Sequence, residues 1–143
     1  SGPFSWLLNR IGALKGLEGW FLSYADTPLV FTVLLIGFIL LVGSVIETIP
    51  AIVVLAPTLI KVSVAAGFHE VQAALVLVVG FIMGAVTPPV GIVYFTASFI
   101  AQEPLEKVGV ALIPFMLVEV VVMFLLLYVP ALTLWLPKLA KFI

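Results

Sequence analysis

Residues 84–91 read GAVTPPVG, and they fall in the middle of an apolar run, 69–101, that would otherwise make one long helix. A proline inside a helix lacks the N–H that bonds the carbonyl four residues back. Pro88 and Pro89 are therefore expected to orphan the carbonyls of Gly84 and Ala85, and in apolar surroundings something must satisfy those oxygens. The run is about 33 residues, roughly 50 Å if straight, against a hydrocarbon core of about 30 Å. Splitting it at 84–91 gives two half-helices that cross once together, with unwound backbone between them, as expected at a transporter's site.

Composition sets the solvent. The chain is 64% hydrophobic and 9% charged, with mean hydropathy +1.40, whereas soluble domains carry about 25% charged residues. An all-α integral membrane protein is expected. The formal net charge of −1 argues against a nucleic-acid partner, which needs a concentrated basic surface. With no cysteine, disulfides and thiolate chemistry are excluded. His69 is the one histidine, and HEVQA lacks the second histidine of a zinc-protease motif, so His69 is expected at a helix start near the interface. G-x-S-x-G does not occur, and Ser44, Ser63 and Ser98 have no recognisable base, so no enzyme is expected. The opening SGPFSWLLNR has no methionine and no basic segment before an apolar stretch, which reads as a piece of a longer chain.

Working outward toward the N-terminus, DTPLV (26–30) marks a helix start, with Thr27 as cap and Pro28 at the first helical position. The apolar run 28–43 is about 16 residues, or roughly 24 Å, short of a crossing. GSVIETIP (43–50) then interrupts the pattern before a second short run, 50–66. Two short helices joined by a polar tip make a re-entrant hairpin; two tilted full spans with Glu47 in an outside loop are the alternative. Ahead of them, Leu7, Ile11, Leu14, Leu17 and Phe21 recur at helical spacing with Trp6 and Trp20 as anchors. That suits a helix lying at the interface, or the end of a preceding transmembrane helix. Lys61 is expected to snorkel to headgroups.

Toward the C-terminus, AQEPLEK (101–107) ends the broken crossing, and 109–135 make a final span anchored by Trp135, Lys138 and Lys141. Glu119 lies deep in that span, either as a functional acid or as the partner of another helix. The organisation is thus an arm over 1–26, a hairpin over 27–67, a discontinuous helix over 68–102 and a last span over 103–143.

Both breaks carry the chemistry of a sodium ion, which takes oxygen ligands from freed carbonyls and hydroxyls. The second offers the Gly84 and Ala85 carbonyls with the Thr87 hydroxyl. At the first, Pro50 is expected to orphan the Ile46 carbonyl, Gly43 permits a tight turn, and Ser44 and Thr48 add hydroxyls. Half-helix N-termini near Pro50 and Val90 would present positive dipole ends to an anion. A proline kink in a packing helix, with Gly80 and Gly84 as a small-residue contact face, is the bland alternative.

In GSVIETIPAIVVLAPTLIKVSVAAG (43–67) and GFIMGAVTPPVGIVYFTASFIAQEPLEKV (80–108) the chain resembles the large membrane subunit of the TRAP (tripartite ATP-independent periplasmic) transporters, over a stretch running from about DTPLVF to LWLPKL. The resemblance covers the C-terminal part of that subunit only. It implies an elevator-type fold of the ion-transporter superfamily: a second inverted repeat with re-entrant hairpin, broken helix and scaffold helix (109–135). It further implies a sodium-driven secondary transporter of the bacterial cytoplasmic (inner) membrane. Such a transporter accepts carboxylates, C4-dicarboxylates or sialic acid, from a periplasmic substrate-binding protein, and it works with a small four-helix membrane subunit and the remainder of the large one.

Carried over residue by residue, the sodium site falls on the backbone oxygens of Gly43, Gly84 and Val90 with the Thr87 side chain. Val90 rests on the resemblance alone. Ser44 and Thr48 are expected to line the substrate space, and Pro50, Pro88 and Pro89 to make the breaks. The chain departs from the family's pattern at Lys61, where a proline is common, and at Gly80, where an asparagine often stands. Three competing readings are a carboxylate–sodium symporter needing no binding protein, a structural membrane subunit whose hairpin only packs, and a channel. The channel ranks last because the chain lacks a continuous polar stripe.

Overall fold

Glycine at position 12 decides the shape of the N-terminal arm. In the computed structural model, which describes residues 2–140, α1 (Gly2–Ile11) and α2 (Ala13–Leu22) meet at Gly12, whose φ of 76° lies in the left-handed region. That conformation costs a residue with a Cβ about 1–2 kcal/mol and is freely open to glycine. The single helix expected over the arm is therefore two. Leu14 and Phe21 are buried, while Trp6 and Trp20 are exposed.

Pro28 opens α3 (Pro28–Val45) at its first helical turn, but Thr27 makes no side-chain capping bond; only its carbonyl is used, by the Phe31 N–H at 2.9 Å. α3 and α4 (Thr48–Ala65) are 18 residues each, about 27 Å long. Ile46 and Glu47 alone join them. Gly43 and Ser44, expected in the break, are still helical, so the tip is tighter than the polar letters suggest. α5 (Glu70–Gly84) and α6 (Ile92–Ala101) flank the break at 85–91, as the prolines require.

α7 (Leu105–Tyr128) starts earlier and stops earlier than the span expected over 109–135. Pro130 cannot bond the Leu126 carbonyl, the chain turns at Val129 (φ −112°, ψ 87°), and α8 (Pro130–Leu139) follows as a separate helix. Trp135 and Lys138 are exposed on α8; Lys141 lies outside the described residues. Among the described residues there are eight helices and no strand. Three of them, α3, α4 and α7, are long and apolar enough to cross a membrane.

α5 is the spine. It packs between α3 and α4 and meets α7 on another side. Ile39, Leu59, Val76, Phe81 and Met123 share the buried core. In lipid such burial releases no water, so close packing and satisfied polar groups must hold the helices together. His69 stands at the start of α5, as expected, and also caps it: its Nδ1 accepts the Val71 N–H at 3.2 Å, while the Gln72 carboxamide oxygen accepts the His69 N–H. The other end of Gln72 donates to the Leu126 and Leu127 carbonyls at 3.2 and 3.0 Å. Leu126 is the carbonyl that Pro130 leaves without a helical partner, so a buried side chain of α5 repairs the end of α7. At the far end of α7 the Tyr94 hydroxyl of α6 donates to the Leu105 carbonyl.

Lys61 departs from expectation. Its ammonium meets the Glu18 carboxylate of α2 at 2.7 Å, because α2 lies along α4 and brings an opposite charge within reach. The C-terminal end of α2 is fixed by Phe21, whose ring sits edge-on to Phe31 and Phe38 of α3.

Candidate functional site

The two sequence breaks touch. An added Cβ on Gly84 would stand 2.5 Å from the Gly43 Cα and 2.6 Å from its carbonyl carbon; one on Gly43 would stand 3.1 Å from the Phe81 carbonyl oxygen. No side chain can occupy either position without moving backbone, so the last turns of α3 and α5 cross in direct main-chain contact. The contact is extended by Thr48, whose hydroxyl donates to the Phe81 carbonyl at 3.2 Å and so holds the first turn of α4 to the last of α5. Pro50 lies in that first turn, where an N–H has no helical partner. It orphans no helical carbonyl: Ile46 precedes the helix, and the Ala51 N–H bonds the Glu47 carbonyl at 3.1 Å.

The break at 85–91 answers the question its prolines raise. The Gly84 carbonyl accepts the Thr87 N–H at 3.0 Å, and the Ala85 carbonyl accepts the Val93 N–H at 3.1 Å. The expectation of orphaned oxygens is thus corrected: Pro88 and Pro89 remove the helical donors, and a tight turn with the start of α6 replaces them. Each carbonyl has a second lone pair, so each retains acceptor capacity. The Thr87 hydroxyl donates to the Met83 carbonyl at 2.8 Å, leaving its own lone pairs free. The Ala85 and Thr87 carbonyl oxygens converge on Gly91, where an added Cβ would lie 2.5 and 2.9 Å from them. Thr87 is buried and Val90 is 42% exposed.

Beside the crossing lies a cavity of about 240 Å³ whose wall includes Gly43, Ser44, Glu47, Thr48, Ala85 and Val93. The N-terminal turns of α4 and α6 both border it, so two positive dipole ends lie beside the space. Ser44 is buried and donates to the Leu41 carbonyl at 2.8 Å. Of the residues singled out in the sequence, Gly43, Ser44 and Thr48 line the cavity, and Gly84 meets Gly43 at the crossing beside it. Thr87 belongs to the adjoining turn, and neither it nor Val90 is in the cavity wall. Among the described residues no three His, Cys, Asp or Glu side chains cluster. The oxygens on offer are carbonyls, hydroxyls and the Glu47 carboxylate, a set suited to a hard cation rather than a soft transition metal.

Sequence reasoning misses Gln72 and Tyr94. A glutamine inside an apolar run is the available signal for the first, since a carboxamide in lipid must find partners. Gly80, noted as a departure, proves to be a packing position: a Cβ there would meet Ile39 Cγ2 and Met123 Cε, both at 2.6 Å.

The family model for the tripartite ATP-independent periplasmic transporter, DctM component, matches residues 1–132. The chain belongs to this TRAP transporter family. It is 28% identical over 136 residues to the sialic acid TRAP transporter large permease protein SiaM of Vibrio cholerae, covering 95% of this chain and 32% of that protein. It is 29% identical over 136 residues to the C4-dicarboxylate TRAP transporter large permease protein DctM of Rhodobacter capsulatus, covering 95% and 31%. An isethionate TRAP transporter permease protein of Oleidesulfovibrio alaskensis is 33% identical over 93 residues, 65% of this chain and 15% of that one. The chain spans about a third of the length of the first two. No solved structure matches it. With its apolar helices, a TRAP large-permease chain of this kind is an integral membrane protein, and its relatives are transporter permeases rather than enzymes.

Proposed function

We propose that this chain supplies the second inverted repeat of a sodium-coupled secondary transporter that imports small organic anions, carboxylates above all, across the bacterial inner membrane. In this reading α3 and α4 form a re-entrant hairpin whose tip meets the broken helix α5–α6 near mid-membrane. The single observation that carries it is the main-chain contact of Gly43 with Gly84, which places the hairpin tip beside the unwound 85–91 segment. Sodium is held by the Gly43, Gly84 and Val90 carbonyls with the Thr87 hydroxyl. The anion lies in the adjoining cavity against Ser44, Thr48 and the N-termini of α4 and α6. In this reading α7 is the scaffold helix beside which the hairpin and broken helix move in an elevator cycle, and it meets them at Gln72 of α5, Tyr94 of α6 and Gly80 against Met123. A periplasmic substrate-binding protein delivers the anion, and a small four-helix membrane subunit completes the complex.

The test is uptake of labelled succinate and N-acetylneuraminate into proteoliposomes holding the full-length transporter with both partners, across a sodium titration. Removing a hydroxyl that touches a charge costs about 1.5–3 kcal/mol, so Thr87→Val should raise half-saturating sodium about ten- to a hundredfold, while Thr87→Ser stays close to wild type. Coincident titrations for wild type and Thr87→Val would remove Thr87 from the ion site and leave the break as a packing kink.

A further inference from the structure

Lys61 and Glu18 belong to no part of the site described above, and the way α2 is held gives them a role. One end of α2 is fixed: Phe21 is fully buried, with its ring centroid 5.8 Å from that of Phe31 and 5.5 Å from that of Phe38. The other end leaves through Gly12 in its left-handed turn. Between these ends α2 faces α4 across a groove of about 320 Å³, with Leu14, Val53, Pro57 and Thr58 in its wall. Gly16 and Gly19 are on the exposed face of the helix, away from α4. Glu18 and Lys61 bridge this groove. Among the described residues theirs is the one ion pair that joins two packed helices; the other, Glu103 with Lys107, spans four residues of one corner.

We propose that Glu18 and Lys61 form a latch: positioning residues that hold the second arm of the hairpin against α2 in one state of the transport cycle and part in another. This rests on the transporter reading above. Leu14 and Phe21 both anchor α2 in the core, so the parting is a small one, in which the two long side chains separate across the open groove while the helix stays attached. Lys61 is 70% exposed and Glu18 25%, so the pair is screened. An exposed pair of this sort biases a two-state equilibrium by about two- to fivefold. That is enough to set the resting population and weak enough to break in every cycle.

The experiment uses the full-length transporter with its partners in proteoliposomes and labelled succinate, N-acetylneuraminate and isethionate as probes. Glu18→Lys and Lys61→Glu should each change the maximal uptake rate in the same direction, by about two- to fivefold, and the double swap should return it to the wild-type value. A simple packing defect would not be rescued by exchanging the charges. Four equal rates, or singles that the swap leaves uncorrected, overturn the latch. If the wild type carries none of the three probes, the transport reading fails on its own account. The pair is then judged by crosslinking Glu18→Cys to Lys61→Cys with a short bismaleimide in a background free of other cysteines. A yield that changes between sodium and choline supports the latch, and an equal yield overturns it.

Discussion

Gly84→Ala is the sharpest perturbation of the crossing between α3 and α5. The new methyl would lie 2.5 Å from the Gly43 Cα and 3.0 Å from the Ser44 nitrogen. Ordinary carbon contacts are about 3.5–4.0 Å, so the two helices must part by about 1 Å. Nothing flexible can give way, because every atom met is main chain. Overpacking of this kind costs about 1–3 kcal/mol, against which a helical alanine returns at most about 1 kcal/mol over glycine. The same displacement would stretch the 3.2 Å bond from Thr48 to the Phe81 carbonyl to about 4 Å, past hydrogen-bonding range. Two other glycines calibrate the effect. At Gly80 the clashing atoms, Ile39 Cγ2 and Met123 Cε, belong to side chains, and the Met123 end can swing aside, whereas Gly37 has nothing within 4 Å. Apparent Tm of the purified full-length transporter should therefore rank Gly37→Ala at or above wild type, Gly80→Ala below it and Gly84→Ala lowest. Gly84→Ala should also weaken the sodium dependence of uptake. A Gly84→Ala protein that melts with Gly37→Ala and titrates sodium like wild type would refute both the contact and its link to the ion site.

Other outcomes follow from the polar ties of α7. Gln72→Leu leaves the Leu126 carbonyl unpartnered in an apolar setting, a loss of about 1–3 kcal/mol that should appear as a lower Tm and as greater reagent access to a cysteine placed at Val129. Tyr94→Phe removes the bond to the Leu105 carbonyl while keeping the ring, so Tm should fall by the equivalent of about 1 kcal/mol with uptake retained. Lost uptake at unchanged Tm would show that the Tyr94 hydroxyl serves the transport site instead.

The prolines make the break at 85–91 legible in the sequence, because they remove helical donors whatever surrounds them. The fate of the freed carbonyls is not legible, since the donors that replace them, the Thr87 and Val93 N–H groups, depend on how the turn closes. At the hairpin tip, polar letters suggest a break from Gly43 onward, yet helix continues to Val45. Glycine and serine are tolerated there because Ser44 bonds the Leu41 carbonyl behind it and Gly43 meets α5. The arm looks like one helix in the sequence because apolar periodicity carries no information on φ, which Gly12 alone changes. Lys61 taken by itself suggests a headgroup contact, and its partner forty-three positions earlier in the chain (61 − 18) is a fact of packing. The likeness of the two Gly/Pro motifs hints that Gly43 and Gly84 lie close, but contact between separated backbones leaves no periodic trace that would fix it.

A contact built wholly from main chain has an evolutionary corollary. The crossing of Gly43 and Gly84 has no side chains that substitution could reshape, and any addition there pushes the helices apart. If the cavity holds the cargo as proposed, diversification toward new cargo is channelled into the surrounding wall, to positions such as Ile49, Ile92 and Val93 that border the cavity without supporting the crossing. The crossing is a fixed chassis, and the cavity wall is an interchangeable lining.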